Sequence, residues 1–247
     1  MRQGMLRIVL YAVLAGSLAF TAGCGLLWNS DRALTQAAKQ YAKGNYDRAL
    51  LEVDEVIRRE PDNVNAYRLR VLIDEAREDW ENVVADAGQV LRLDPKDADA
   101  YVSRGNARLS LRQFDKALAD FRGAVKADPD DPYTHNDLAW LLATAPEEKL
   151  RNGKEALAAA MKACELSEWQ DGVIIDTLAA AYAETGDFAE AVKWQKKAME
   201  FSDLMEDDEE GAKARLALYL EGKPYREEEN TGSTAPPSTQ AEIQVRA

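Results

Sequence analysis

Residues 98–131 read ADAYVSRGNARLSLRQFDKALADFRGAVKADPDD, and the proline near the end of this stretch is one of a regular series. Pro61, Pro95 and Pro129 follow one another at intervals of 34 residues. A fixed period of this length indicates a stack of similar structural units. Such stacks present extended binding surfaces, so the period favours a protein that binds other proteins over an enzyme.

Alignment on the prolines brings small residues into register at three positions of each unit, counting the proline as position 32. Position 8 holds Ala37, Val71, Gly105, Ala139 and Ala179. Position 20 holds Ala49, Val83, Ala117, Ala156 and Ala191. Position 27 holds Val56, Val90, Ala124, Ala163 and Ala198. Small side chains on facing surfaces let two helices approach closely, so each unit is predicted to be a pair of packed helices.

The boundaries of these helices are marked as well. A turn or capping residue precedes a large apolar residue at the predicted bend of four units, at Tyr46, Trp80, Phe114 and Phe188. The prolines end each unit because proline lacks a backbone donor and disfavours helical geometry in the residue before it. Asp97 and Asp131 are then predicted to cap the helices that follow.

This pattern resembles the tetratricopeptide repeat, and residues 98–131 match it best, with Ala100-Tyr101, Gly105, Phe114 and Pro129 in place. The resemblance implies an all-α fold, a right-handed α-solenoid of about five repeats with a C-terminal capping helix. The repeats are predicted at 30–63, 64–97, 98–131, 132–171 and 172–205, followed by the capping helix at 206–223 and a disordered tail at 224–247.

Two repeats depart from the pattern. The second has valine at all three small positions and no glycine at its bend, so its helices are expected to be splayed or differently packed. The fourth carries extra residues around Ala145 to Asn152, and is similar to an extended subtype found in bacterial members of the family.

The N-terminus carries a second signal. Arg2 and Arg7 precede an apolar run, and the small residues before Cys24 are typical of a secretory signal peptide, predicted at 1–23. A cysteine at this point resembles the lipobox of bacterial lipoproteins, which implies lipidation of Cys24 and a short tether at 24–29. The alternative is an uncleaved membrane helix, since residues 8–28 contain no charge and are long enough to span a bilayer.

Both alternatives export the repeats, because the positive charges precede the apolar run. The resemblance to lipoproteins of bacteria with two membranes implies a lipid anchor in the cell envelope. Gly25 is not the aspartate that commonly retains such lipoproteins in the inner membrane, so the periplasmic face of the outer membrane is the preferred location.

The formal net charge of −13 bears on possible partners. An acidic surface repels phosphate backbones, so no nucleic acid partner is predicted. No metal or cofactor is predicted either. The chain has one histidine, His135, which stands where other repeats have tyrosine, and zinc needs several ligands. Cys164, beside a small core position, is predicted to be an inert buried thiol.

The resemblance also implies a groove lined by the first helix of each repeat, where a protein or peptide partner binds. The residues predicted to face it are Arg68, Asn106, Tyr133, Asn136, Asp137, Trp140 and Asp176, together with Leu72, Asp99, Ser103 and Thr177. Amides can bond an extended backbone and aromatics can anchor an apolar side chain. The alternative for Trp140 is packing between repeats.

The sequence therefore predicts an extracytoplasmic, membrane-anchored scaffold or adaptor for envelope assembly or cell-wall processes, and not an enzyme. One alternative is a structural lipoprotein that self-associates. The other is a hydrolase that uses carboxylates on the concave face, with Asp137 and Asp176 as the residues to examine.

Overall fold

The computed structural model describes residues 28–227, in which every regular element is helical. The helices are α1 (Ser30–Ala42), α2 (Tyr46–Arg59), α3 (Val64–Ala76), α4 (Trp80–Leu93), α5 (Ala98–Ser110), α6 (Phe114–Ala127), α7 (Pro132–Thr144), α8 (Gly153–Leu166), α9 (Gly172–Glu184), α10 (Phe188–Ala198) and α11 (Ser202–Leu220). A 3-10 turn, Glu148–Leu150, lies between α7 and α8. Five consecutive helix pairs and a final helix confirm the predicted all-α class.

Polar side chains start the first helix of each pair. Asp97 Oδ1 accepts from the Ala100 amide at 2.8 Å, and Asp131 Oδ1 accepts from the Tyr133 amide at 3.1 Å. Each bond satisfies one of the donors that a helix N-terminus leaves without an intrahelical partner. The two caps predicted from the proline phrases are therefore confirmed.

The bend contains a left-handed backbone residue in four of the five described helix pairs. Four equivalent residues have positive φ: Gly44 (73°), Glu78 (58°), Arg112 (57°) and Gly186 (85°). Glycine adopts this conformation at no steric cost, whereas a side chain is strained there. The second repeat thus makes the same bend without glycine, and its three valines are all buried.

The chain divides into two compact units, one ending at Ala107 and the other beginning at Arg108. In the first unit, one core cluster forms where α1, α2 and α3 pack together, and Val53, Val56 and Ile73 are fully buried in it. A second cluster includes Val83 and Val90 of α4. Tyr67 Oη donates to the carbonyl of Pro61 at 3.1 Å, which fastens the start of α3 to the proline turn before it.

The second unit has a larger core between α7, α8 and α9, with Leu142, Ile174 and Leu178 almost fully enclosed. Cys164 is also fully buried, and burial raises its pKa to about 12. The thiol is therefore neutral at physiological pH and is part of the packing, as predicted. His135 Nε2 lies 2.9 Å from the carbonyl of Pro129, the counterpart of the tyrosine contact in the first unit.

The last helix differs from the predicted capping helix at both ends. It begins at Ser202 and ends at Leu220, with a kink at Asp208 where φ is −150°. Residues 224–227 follow without helix and pack on the second unit, so the predicted start of the tail at 224 is too early. The predicted signal peptide, Cys24 and the remainder of the tail lie outside the described residues.

Candidate functional site

A small cleft lies in the first unit between the first helices of the second and third repeats. Its volume is about 60 Å³, well below the several hundred Å³ of a typical small-molecule site. The lining residues are Arg68, Val71, Leu72, Val90, Asp97, Asp99, Ala100 and Ser103. This size suits one side chain of a bound segment rather than a cofactor.

The cleft has an apolar floor and a charged rim. Val90 is fully buried beneath it, Leu72 is half-buried and Asp99 is exposed. Arg68, of which 35% of the side chain is exposed, donates from Nε to Asp97 at 2.6 Å and from Nη2 to Asp94 at 2.9 Å. The guanidinium is therefore held in place while part of it faces water. Asn106 is half-buried further along α5.

In the second unit, the predicted groove residues of α7 and α9 are buried, with the exception of Tyr133. Asn136 is 2% exposed, Asp137 7%, Trp140 5% and Asp176 0%. Tyr133 is half-buried, and its Oη donates to Asp171 Oδ2 at 3.0 Å, which ties α7 to the start of α9. In this unit the sequence identified the helix face, but the side chains on it are not open to a partner.

Trp140 is covered by the residues that follow α11. Its Nε1 donates to Glu227 Oε1 at 3.1 Å, and its ring centroid lies 5.9 Å from that of Tyr225. On the same ring, the guanidinium carbon of Arg215 lies 5.4 Å from the centroid, within range of a cation–π contact. Trp140 therefore anchors a segment, as the groove hypothesis required, but the segment belongs to the same chain.

Asp176 is held by an ion pair rather than exposed. Arg215 approaches it with Nε and Nη2, each 3.0 Å from a carboxylate oxygen, and Gln195 Nε2 donates to Oδ1. A second carboxylate, Asp208, lies 2.9 Å from Arg215 Nη1. Burial alone would lower the pKa of Arg215, but the two carboxylates outweigh it and raise the pKa. Burial raises the pKa of Asp176, while Arg215 and Gln195 oppose that rise. The Asp176 side chain is therefore enclosed by its partners rather than exposed in a groove.

Residues 226 and 227 also supply hydrogen-bond donors to the C-terminal end of α7. A helix leaves its last four carbonyls without intrahelical partners. From Leu141 to Thr144, these carbonyls accept in turn from the Ala145 amide (3.1 Å), the Asn152 amide (2.9 Å), Arg226 Nη1 (3.2 Å) and the Glu227 amide (2.9 Å). Two of the four bonds come from residues 226 and 227.

The long fourth repeat contributes to this surface. Arg151, in its inserted segment, donates to the carbonyls of Ala145 and Pro146 and lies 3.4 Å from Glu184. Glu184 also pairs with Arg226 of the returning chain. The inserted segment therefore helps to position the carboxylate that holds Arg226.

Sequence reasoning missed Arg215, Gln195 and residues 225–227. The only signal for the last group is the order Tyr-Arg-Glu directly after Gly222-Lys223-Pro224, an aromatic residue in an otherwise polar stretch. Within residues 28–227, no group of His, Cys, Asp and Glu side chains is arranged to hold a metal ion. None of the helices in that range has both the length and the apolar character needed to cross a membrane.

Family models for the tetratricopeptide repeat match residues 72–132 and 103–165, and a further one matches residues 176–203. The chain is a tetratricopeptide repeat protein. These matches fall on repeats predicted from the proline period. A search of curated proteins found no relative by sequence.

Solved structures with the same fold agree with this assignment. MamA from Desulfovibrio magneticus is 20% identical, with a TM-score of 0.61 over 70% of this chain and 94% of that one. YrrB, described as a TPR protein with an unusual peptide-binding site, is 19% identical, with a TM-score of 0.61 over 78% and 92%. A thermophilic TPR protein from Thermus thermophilus is 20% identical, with a TM-score of 0.52 over 78% and 99%. At such identities the likeness shows the fold alone.

Proposed function

We propose that this tetratricopeptide repeat protein is a membrane-anchored, extracytoplasmic scaffold that binds a segment of a partner protein at the cleft of the second and third repeats. The cleft carries the proposal: it lies on first-helix positions, has an apolar floor and is accessible at Leu72 and Ser103. The fold is one on which peptide binding is described for YrrB, and this supports a binding role rather than a catalytic one.

The chemistry of the rim suggests which segment fits. Arg68 is already paired with Asp94 and Asp97, and Asp99 adds a further carboxylate. The cleft is thus lined by two carboxylates, Asp97 and Asp99, and one guanidinium, Arg68, within a chain of net charge −13. A partner segment with one aliphatic side chain next to a lysine or arginine matches both the floor and the rim, because complementary charge steers association.

Site-specific cross-linking in intact cells tests the cleft. A photoreactive residue in place of Ser103 is expected to capture a discrete partner, and Leu72→Arg in the same chain is expected to abolish the capture. The matched control places the photoreactive residue at Leu51, which is 71% exposed on a second helix. Equal capture from positions 103 and 51, or capture that survives Leu72→Arg, would rule out the cleft.

The anchor in this proposal is a lipid on Cys24, with the repeats at the periplasmic face of the outer membrane. Several acyl chains give stable anchorage, whereas one is marginal. Labelled fatty acid is expected to be incorporated into the wild-type chain and not into Cys24→Ser. Labelling that survives the substitution, or a membrane-bound chain without label, would favour the uncleaved membrane helix. Fractionation of the labelled protein then tests the outer-membrane location.

A further inference from the structure

A second site lies in the other unit, and it is already occupied. The return segment, defined as residues 224–227, follows the end of α11, where Gly222 has a φ of 69° and turns the chain. Its residues contact α7 and α9 through a backbone bond, an aromatic contact and two charged groups. These are the kinds of contact by which a groove holds an extended peptide ligand.

The backbone part of this recognition does not depend on sequence. The Glu227 amide donates to the Thr144 carbonyl at 2.9 Å, at the open end of α7. Any extended segment that crosses this point can supply such a donor. The helix end therefore offers a fixed acceptor that a partner backbone can use in the same way.

The side-chain part does depend on sequence. Trp140 and Arg215 flank the Tyr225 ring, with centroid distances of 5.9 Å to the Trp140 ring and 5.8 Å to the Arg215 guanidinium. Two residues later, the Glu227 carboxylate accepts from the Trp140 indole at 3.1 Å. Between them, Arg226 pairs with Glu184. The site thus recognises an aromatic side chain, a cation and a carboxylate in consecutive order.

We infer that the return segment is a built-in ligand of the fourth and fifth repeats. A partner segment of the same chemistry, aromatic-basic-acidic in extended conformation, takes its place on Trp140. Because the return segment is tethered, it competes for the site at an effective concentration in the millimolar range. A partner segment of equal intrinsic affinity must reach a concentration above this value to displace it. This site is separate from the cleft of the first unit, so an experiment can rule out binding at one site without ruling out binding at the other.

The test uses a synthetic peptide with the sequence of residues 221–231, EGKPYREEENT. Titration calorimetry is expected to show binding to the double variant Tyr225→Ala, Glu227→Gln at least ~10-fold tighter than to the wild-type chain, since the tethered competitor is removed. Lys223→Ala is the matched control: its side chain is 65% exposed and it is expected to behave as wild type. A peptide with alanine and glutamine at the two recognition positions is expected not to bind.

Hydrogen exchange provides a readout without any substitution. In the wild-type chain, the Glu227 amide is expected to be protected by its bond to Thr144, and saturating peptide is expected to abolish that protection. If the peptide leaves the Glu227 amide protected and binds the double variant no better than the wild type, the return segment is a fixed part of the fold and the inference is overturned.

Discussion

In the unit that ends at Ala107, Arg68 and Leu72 occupy positions 5 and 9 of their repeat and line an accessible cleft. In the unit that begins at Arg108, the same two positions are held by Asp176 in the fifth repeat and Trp140 in the fourth, and both are buried. Arg68 pairs with neighbouring acids near the surface, whereas Asp176 pairs with Arg215 in the interior. Equivalent positions in a repeat therefore share a helix face but not an environment, because a later part of the chain covers one of the two faces.

The buried ion pair gives the largest expected difference between the units. Asp176→Ala leaves Arg215 in the interior with Asp208 as its remaining carboxylate partner. The free energy of unfolding is expected to fall by about 3 kcal/mol, the lower end of the range for breaking a buried ion pair. Arg68 is partly exposed, and Asp97 keeps its bond from the Ala100 amide, so Arg68→Ala is expected to cost only about 1–2 kcal/mol. Urea denaturation followed by circular dichroism measures both. Similar losses for the two variants would contradict the distinction drawn between the two faces.

A buried carboxylate in the first unit makes stability depend on pH. Asp74 is 2% exposed, and burial together with Asp86 and Asp79 raises its pKa to about 6. Because the unfolded chain ionises first, near its ordinary pKa, stability is expected to fall as pH rises from about 4 to 6 and to stay level above that. Asp74→Asn removes this loss, and its free energy of unfolding at pH 7 is expected to exceed that of the wild-type chain by on the order of 1–3 kcal/mol.

The gain from Asp74→Asn is expected to disappear below about pH 4, where the carboxyl is protonated in both states. The measurement is the urea denaturation midpoint of the wild-type chain and of Asp74→Asn at pH 4, 5, 6 and 7. The same series on Asp54→Asn, whose side chain is 55% exposed, serves as the control. A gain for Asp74→Asn that does not vary with pH would show that packing, and not ionisation, is responsible.

The smallest effect concerns the bends, which the two units share. Glu78 in the first unit and Arg112 in the second both have left-handed backbone geometry. Glu78→Gly and Arg112→Gly are each expected to stabilise the chain by about 0.5–1 kcal/mol, since relief of strain exceeds the entropy cost of glycine. Gly44→Ala, the reverse change at an equivalent bend, is expected to destabilise it by about 1 kcal/mol. Thermal unfolding measures all three, and a loss in both glycine variants would contradict the shared bend.

Local features of the fold were predictable because they are encoded within one repeat. The 34-residue period, the small positions and the caps at Asp97 and Asp131 depend on contacts between residues close in sequence or one repeat apart. The same register predicts Cys164 in the core, where the structure places it. Arg68 and Leu72, predicted for a partner groove, line the small cleft of the first unit. Helix ends and capping bonds are decided by neighbouring residues, so a single sequence carries enough information for them.

The environment of Trp140 and Asp176 was not predictable in this way. Their partners, Glu227 and Arg215, lie 87 and 39 residues further along the chain. The predicted disordered tail includes residues 224–227, yet Arg226 and Glu227 find partners on Glu184 and Trp140. A polar segment can still pack against the protein when the end of a helix offers backbone carbonyls that lack intrahelical hydrogen-bond donors.

The sequence by itself determined that this chain is a series of helix pairs, where each pair begins and bends, and which side chains share a face. Only the tertiary structure decided which of those faces is open. Periodicity records the direction of a side chain relative to its own helix, which is a local property. Exposure depends on what else packs there, and in the second unit the covering chain, Tyr225 to Glu227, lies outside the repeats and carries no period to reveal it.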